Sequence, residues 1–389
     1  MNGGIRSVDV IVVGAGPAGS TAARHCALKG LQTVLLEKAA MPRTKPCAGG
    51  VTVAAARELG CDIPQHVIER KCSGLHIVFR GVDNTVDYHQ PITFMVRRSV
   101  FDQYLADIAV KAGALLSDKE TCIGAERQKH WIVVDTNRRR LRAPVVIGAD
   151  GYFSRIRKSL DQKFDGDEIR FCVFAEIPMH PHEIDNRYGN TITIHYGFIP
   201  RGYAWIFPKG SHVNTGAGGT VSQGSDLLHG FRAFLSQNRL DHTIRLRGCF
   251  IPVSRWRRNM YADRVLLAGD AAGLVDSFSG EGIRFAVASG KLAAETATAA
   301  HRVGAFDRGI LCHYQTRCME HMGRDLQKSN SAADLVHKNP NLLVGSIVRN
   351  RDAIFHYMRT ITGEISFSEY ASWIKGKIPR YLLKRLFHW

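Results

Sequence analysis

Gly14-Ala15-Gly16-Pro17-Ala18-Gly19 stands between an apolar, β-branched run at residues 8–13 and an alanine-rich stretch at 20–29. A second apolar run, 31–36, ends in Glu37. Glycines in this spacing let a backbone turn tightly and bring its N–H groups up to a pyrophosphate, whose charge the start of the following helix favours. Glu37, 18 residues after Gly19, stands where an acid accepts hydrogen bonds from an adenosine ribose. Strand, glycine turn, helix, strand and acid in that order make a dinucleotide-binding unit. Both FAD and NAD satisfy it.

Two later segments select between them. Val145-Val146-Ile147-Gly148-Ala149-Asp150-Gly151 is a buried strand closing on a turn, with Ser154 and Arg157 behind it. Residues 265–268 run into Gly269-Asp270-Ala271-Ala272, and Gly280-Glu281-Gly282-Ile283 opens an alanine-rich helix to about residue 300. An aspartate at a strand end accepts hydrogen bonds from ribityl hydroxyls, and a helix start offers N–H groups to the electron-rich edge of a reduced flavin. The cofactor expected is FAD. Together with Arg98-Ser99-Val100-Phe101-Asp102, these segments resemble the FAD-dependent oxidoreductases of the aromatic hydroxylase type over most of residues 8–300. That resemblance implies that Arg98 faces the cofactor.

Pro42-Arg43-Thr44-Lys45-Pro46-Cys47-Ala48-Gly49-Gly50 cannot be a helix interior, so it is a loop whose backbone can lie close to a flat ring. Pro200-Arg201-Gly202-Tyr203-Ala204-Trp205-Ile206-Phe207-Pro208 reads as an extended strand with Tyr203, Trp205 and Phe207 in one aromatic row. From periodicity alone such a row fits an ordinary core as well as a tunnel wall. Both segments resemble the geranylgeranyl reductase family, whose loop reads K-P-C-G-G and whose strand reads P-x-x-Y-x-W-x-F-P. Ala48 departs from the first glycine of that loop. The strand is also similar to the G-W-x-W-x-I-P stretch of flavin-dependent halogenases, from which Tyr203 and Phe207 depart. Asp276-Ser277 replaces an Asp-Pro pair common to both groups, which predicts a looser turn before Gly280.

The resemblance implies that Gly14, Gly16, Ala18, Gly19, Glu37, Cys47, Ala48, Gly50, Arg98, Cys122, Asp270, Gly282 and Ile283 contact FAD, and that Tyr203, Trp205 and Phe207 contact substrate. It implies hydride transfer from N5 of reduced FAD to an isolated double bond of a polyprenyl chain, with a proton added at the neighbouring carbon. An unactivated alkene asks for positioning and a dry cavity rather than carbonyl polarisation. Cys47 is the first candidate proton donor and Tyr203 the second. No second G-x-G-x-x-G is present, so the external reductant is NAD(P)H bound transiently, ferredoxin or a quinol. The competing functions are an oxygen-using hydroxylase or halogenase, an electron-transfer flavoprotein reducing quinone, and a nonenzymatic basic module.

The elements that must position these groups fit 389 residues with a 45% hydrophobic share, enough for two or three structural units and too apolar for a disordered chain. The fold expected is a Rossmann-type FAD-binding domain, a parallel sheet with helices, carrying an inserted antiparallel-sheet substrate domain and a helical C-terminal region. The FAD domain is expected from residues 1–70, 96–160 and 255–305, the substrate domain from 71–95 and 161–254, and the helical region from 306–389. Strands are expected at 191–197 and 212–219, and helices at 308–328 and 341–358. Thr362-Gly363-Glu364-Ile365-Ser366 is similar to a turn near the end of the reductase family.

A net charge of +17 favours an anionic partner. Residues 370–389 carry five Lys and Arg and no acid after Tyr370, interleaved with aromatic and aliphatic side chains. That composition is suited equally to an anionic membrane surface and to an amphipathic helix docked on its own domain with its basic residues solvated; a polyprenyl substrate favours the membrane. No nucleic-acid recognition motif accompanies the charge. Nine cysteines without a C-x-x-C pair are no disulfide framework and suit a reducing compartment. Cys312, Cys318 and His321 lack a second ligand pair, so no metal is expected. No signal peptide and no apolar run near the ~20 residues of a spanning helix is visible, which predicts a cytoplasmic protein peripheral to the membrane.

Overall fold

The computed structural model describes residues 5–221, 224–241 and 243–377. Its centre is a six-stranded sheet in the order Tyr261–Ala262, Val265–Leu267, Val145–Gly148, Val10–Val13, Thr33–Leu36 and Leu115–Ser117. All pairings but the first are parallel. Every residue of Val10–Val13 is buried, as a strand covered on both faces requires. Val10 and Val12 pack with the helices Pro17–Leu28 and Ile283–Val303, whereas Ile11 and Val13 pack with Ile132, Val134 and Leu141. Those last residues belong to a four-stranded sheet of Arg6–Ser7, Arg140–Ala143, Ile132–Thr136 and Cys122–Arg127. Helix, parallel sheet and second sheet thus form three layers, and both glycine turns lie at the carboxyl ends of parallel strands, where such folds bind ligands. Helix Arg98–Lys111 begins at Arg98 itself.

A seven-stranded sheet runs Arg247–Pro252, Ile169–Pro178, His212–Thr220, Tyr203–Pro208, Thr191–Tyr196, Gly74–Phe79 and Val82–Asp87. The expectation was an antiparallel sheet. One pair, Thr191–Tyr196 with Gly74–Phe79, is parallel, because the two strands come from distant parts of the chain and need no hairpin. One face, with Val173, Ala175, Ala204, Ile206 and Ala217, is covered by Leu227, Phe231 and Phe234 of helix Gly224–Gln237. The opposite face carries Cys172, Phe174 and Trp205. A small sheet of Gly50–Thr52, Thr93–Val96 and Ile68–Cys72 joins the two halves.

The C-terminal region is helical, with different breaks from those expected. Arg308–Cys318 continues through a wide π turn, Met319–Gly323, into Arg324–Lys338. The stretch expected as one helix is two, Pro340–Val348 and Arg351–Thr362, because Asn350 leaves helical geometry and caps Ala353 N with its side chain. Val344, Val348, Ile354 and Met358 of these helices pack on Leu75, Ile77 and Phe79. The last described helix is Phe367–Lys377, so residues 378–389 of the basic tail lie outside the described residues. No described helix is long and apolar enough to cross a membrane.

Candidate active site

The glycine turn works by close approach. A Cβ on Gly14, whose φ is +102°, would sit 2.5 Å from the Ala149 carbonyl oxygen, and one on Gly19 would sit 1.8 Å from the Gly14 oxygen. Helix Pro17–Leu28 therefore starts hard against two parallel strands, and no side chain caps its first turn. Helix Ile283–Val303 likewise starts at Gly282 without a side-chain cap. Both helix starts face one cavity, lined at this end by Gly14, Gly16, Ala18, Glu37 and Asp270. Asp150, also lining it, has one buried carboxylate oxygen without a partner, and burial raises its pKa. Two uncapped helix starts, a glycine cradle and an unpaired acceptor fit the pyrophosphate, ribose and ribityl groups of FAD.

Glu37 accepts hydrogen bonds from Ala15 N at 3.0 Å and Ala39 N at 3.1 Å, and Arg43 Nε lies 3.0 Å from the same carboxylate. Arg43 reaches on to Asp102, 3.1 Å away, and Arg98 forks onto Asp102 with bonds of 2.7 and 2.8 Å. Burial works against the Arg98 charge, but Asp102 and Cys47 hold its pKa above the usual value. Arg98 is thus a buried cavity residue and not a surface helix residue.

The Cys47 loop is fixed from below. Lys209, 2% exposed, donates to Val96 O at 2.8 Å and Gly49 O at 3.2 Å. Burial lowers its pKa to about 8. Gly49 has φ +74°, and a Cβ there would lie 2.3 Å from Val96 O, so this position requires glycine. Asn214 Nδ2 donates to Cys47 O at 3.4 Å, while its Oδ1 accepts from Trp205 Nε1 at 2.9 Å. One buried amide therefore ties the loop to the aromatic row.

Tyr203, Trp205 and Phe207 all line the cavity. The neighbouring strand places Gly218 opposite Tyr203 and Gly216 opposite Trp205. A Cβ on Gly216 would lie 2.3 Å from the indole, so the missing side chain is the space the Trp205 ring occupies. Tyr203 donates its hydroxyl hydrogen to Ser279 O at 2.5 Å, and burial pushes its pKa well above the usual value. The same cavity, about 950 Å³, continues past Leu75, Ile192 and Ile194 to Tyr357, Ile361 and Phe367 of the C-terminal helices.

Of the residues singled out from sequence, Cys47, Ala48, Gly50, Cys122, Gly282 and Ile283 also line the cavity. Gly19 does not reach it. Its missing side chain serves contact between helix and strand. The turn at Asp276 is tied and not loose: Asp276 Oδ1 accepts from Phe278 N, Ser279 N and Ser279 Oγ at 2.7 to 3.0 Å, and Ser277 Oγ donates to Asn330. The aspartate supplies by hydrogen bonding what a proline would supply by its ring. His321 pairs with Glu58 at 2.9 Å, and Cys318 is buried in the core beside Tyr314. Sequence reasoning missed Lys209, Asn214, Arg43, Cys172 and Cys249. Only the glycines after Asn214 gave a signal, since glycine inside a strand marks close approach.

A dinucleotide cradle that opens on an apolar cavity walled by thiols and aromatics defines a flavin-dependent oxidoreductase. The family model described as FAD binding domain matches residues 7–329. The geranylgeranyl diphosphate reductase of Nicotiana tabacum is 33% identical over 77% of this chain and 68% of its own. The digeranylgeranylglycerophospholipid reductase of Methanocaldococcus jannaschii is 33% identical over 80% of this chain and 82% of its own. The solved structure of a geranylgeranyl bacteriochlorophyll reductase-like protein from Thermoplasma acidophilum shares the fold, with a TM-score of 0.80 at 23% identity over 95% of each chain. The chain belongs to the geranylgeranyl reductase family of FAD-dependent oxidoreductases.

Proposed function

We propose that the protein hydrogenates isolated double bonds of a polyprenyl chain at a membrane surface. The observation that carries this reading is the single continuous cavity, from the glycine cradle past Cys47 and Trp205 to Ile361 and Phe367. Its far wall is mainly aliphatic and aromatic, with Leu75, Ile192, Ile194, Ile361 and Phe367 around a single carboxylate, Asp325, which suits a long hydrocarbon. Reduced FAD supplies the hydride when bound. The chain's own contribution is to hold the alkene, exclude water and deliver a proton. Tyr203 has its hydroxyl hydrogen committed to Ser279 O, so Cys47, half-buried on its clamped loop, is the proton donor we favour. Arg43, Glu37, Asp102 and Arg98 form the polar end, and Trp205 and Phe207 flank the prenyl chain.

Anaerobic mixing of the reduced holoenzyme with a geranylgeranyl lipid tests the reading. The expected result is flavin reoxidation that depends on the alkene, with product heavier by two hydrogens per bond. Reoxidation by quinone alone, or a product that needs oxygen, overturns it. We propose that membrane attachment runs through the 378–389 part of the basic, aromatic tail at 370–389, because Tyr370 and Trp373 at its start pack on Tyr357 and His356. Removal of residues 378–389 is expected to abolish co-sedimentation with anionic liposomes, and retained binding refutes the assignment.

A further inference from the structure

Cys172 and Cys249 are far apart in sequence and share no motif, yet the sheet sets them side by side. They are directly opposite in the antiparallel pairing of Ile169–Pro178 with Arg247–Pro252. Both line the cavity, grouped with Phe174 and Trp205. Both are free thiols, and the ladder pairs their backbones directly, so the two side chains leave the same face of the sheet side by side. We propose that this pair is a site of reversible oxidation, in which hydrogen peroxide converts the Cys249 thiolate to a sulfenic acid and Cys172 closes a disulfide in the cavity wall.

Within the pair, Cys249 differs from the buried thiols, Cys172 among them, whose pKa is raised well above the usual value. Burial pushes Cys26, Cys72, Cys122 and Cys318 up to about 12, which keeps them protonated and inert. At Cys249 the neighbouring Cys172 side chain outweighs burial, the Lys45 ammonium adds to it, and the pKa falls. Cys249 is only half-buried, so a small oxidant that enters the cavity meets its sulfur. The Cys172 sulfur occupies the space left open by Gly218, where a Cβ would sit 2.7 Å from it, so closing the bond turns that sulfur from Gly218 towards Cys249.

The chemistry balances in two steps. The thiolate attacks one peroxide oxygen, the O–O bond breaks, hydroxide leaves and the sulfur is oxidised to S–OH. The Cys172 thiol then attacks that sulfur, the S–O bond breaks, and its proton leaves with the hydroxyl as water. The peroxide is the two-electron product that reduced flavins form with dioxygen, and a cellular dithiol returns both cysteines to the free state.

Two cleavage products make the test direct, because trypsin leaves each cysteine alone in its own peptide: residues 171–187 and residues 248–255. The holoenzyme is treated with hydrogen peroxide, alkylated with N-ethylmaleimide and digested without reductant. The expected result is a cross-linked pair of these peptides, lighter by two hydrogens than their sum and separated by dithiothreitol. In Cys249→Ser the cross-link disappears and Cys172 is recovered alkylated. A urea-unfolded control shows no preference for this pair. The proposal is overturned if both peptides are recovered alkylated at peroxide doses that oxidise the Cys47 peptide, residues 44–57, or if Cys249 is found bridged to Cys47. The readout is mass, so it stands whether or not the substrate reading holds.

Discussion

Lys209 holds its charge in a buried site against two carbonyl oxygens, and among the described residues no carboxylate lies within ion-pairing distance. Burial lowers its pKa from 10.5 to about 8, which corresponds to a penalty on the order of 3 kcal/mol when it is protonated. That figure is what remains after the two carbonyl oxygens have favoured the charged form against burial. The sign of the pH dependence follows from the direction of the shift. Below about pH 8 the lysine is protonated in both folded and unfolded chains and the full penalty applies. Between about 8 and 10.5 the unfolded chain binds more protons, so stability rises with pH. Urea denaturation at pH 7 and pH 9.5 is expected to show the advantage of the native protein over Lys209→Met growing with pH. A constant difference would sink this account. Asn214 is the second such residue. Asn214→Leu strands the Trp205 N–H and the Cys47 carbonyl and is expected to lower stability by about 1 to 3 kcal/mol. A change in Trp fluorescence and a looser hold on the flavin should accompany it, read by fluorescence and by absorbance after gel filtration.

At the scale of elements, the strand His212–Thr220 does its work by what it omits. Gly216 makes room for an indole and Gly218 for the Cys172 sulfur, so the aromatic row can lie flat along the sheet. Gly216→Val drives a branched side chain into the ring of Trp205. The expected result is destabilisation of about 1 to 3 kcal/mol by thermal unfolding and loss of prenyl reduction. An unchanged melting temperature with full activity would refute the space-filling role. Elements like the first strand, its glycine turn and helix were legible in the sequence because every signal is local: a β-branched run, fixed glycine spacing, and an acid at the end of the next strand. The aromatic row was legible for the same reason, through its period of two. Lys209, Asn214 and the Cys172–Cys249 pair were not, because each acquires meaning only when strands from distant parts of the chain fall into register. The parallel pairing of Gly74–Phe79 with Thr191–Tyr196 escaped for that reason too. The tied turn at Asp276 escaped because its stability comes from three hydrogen bonds to one carboxylate oxygen, where a motif comparison counts a missing proline.

Taken whole, the molecule divides its cavity among parts of the chain with different duties. The parallel sheet supplies the polar, cofactor end, the seven-stranded sheet supplies a flat aromatic wall, and the helices Arg351–Thr362 and Phe367–Lys377 close the far end with Ile361 and Phe367. On the proposed function, chain length would be read at this place, remote from the chemistry. Ile361→Trp fills the far end and leaves the Cys47 loop and the glycine cradle untouched. A long prenyl chain loses its terminal contacts, and two methylenes left in water amount to about 1.6 kcal/mol, more than tenfold in affinity. A short chain that ends before Ile361 loses little. Measured kcat/KM is therefore expected to fall at least about tenfold for a geranylgeranyl substrate and to change by less than about threefold for a geranyl analogue, with flavin content equal to that of the native protein. Equal losses on both substrates would mean that the variant disturbs the chemistry or the fold. Equal retention on both would mean that the prenyl chain runs elsewhere, and the far end would then belong to the helices alone.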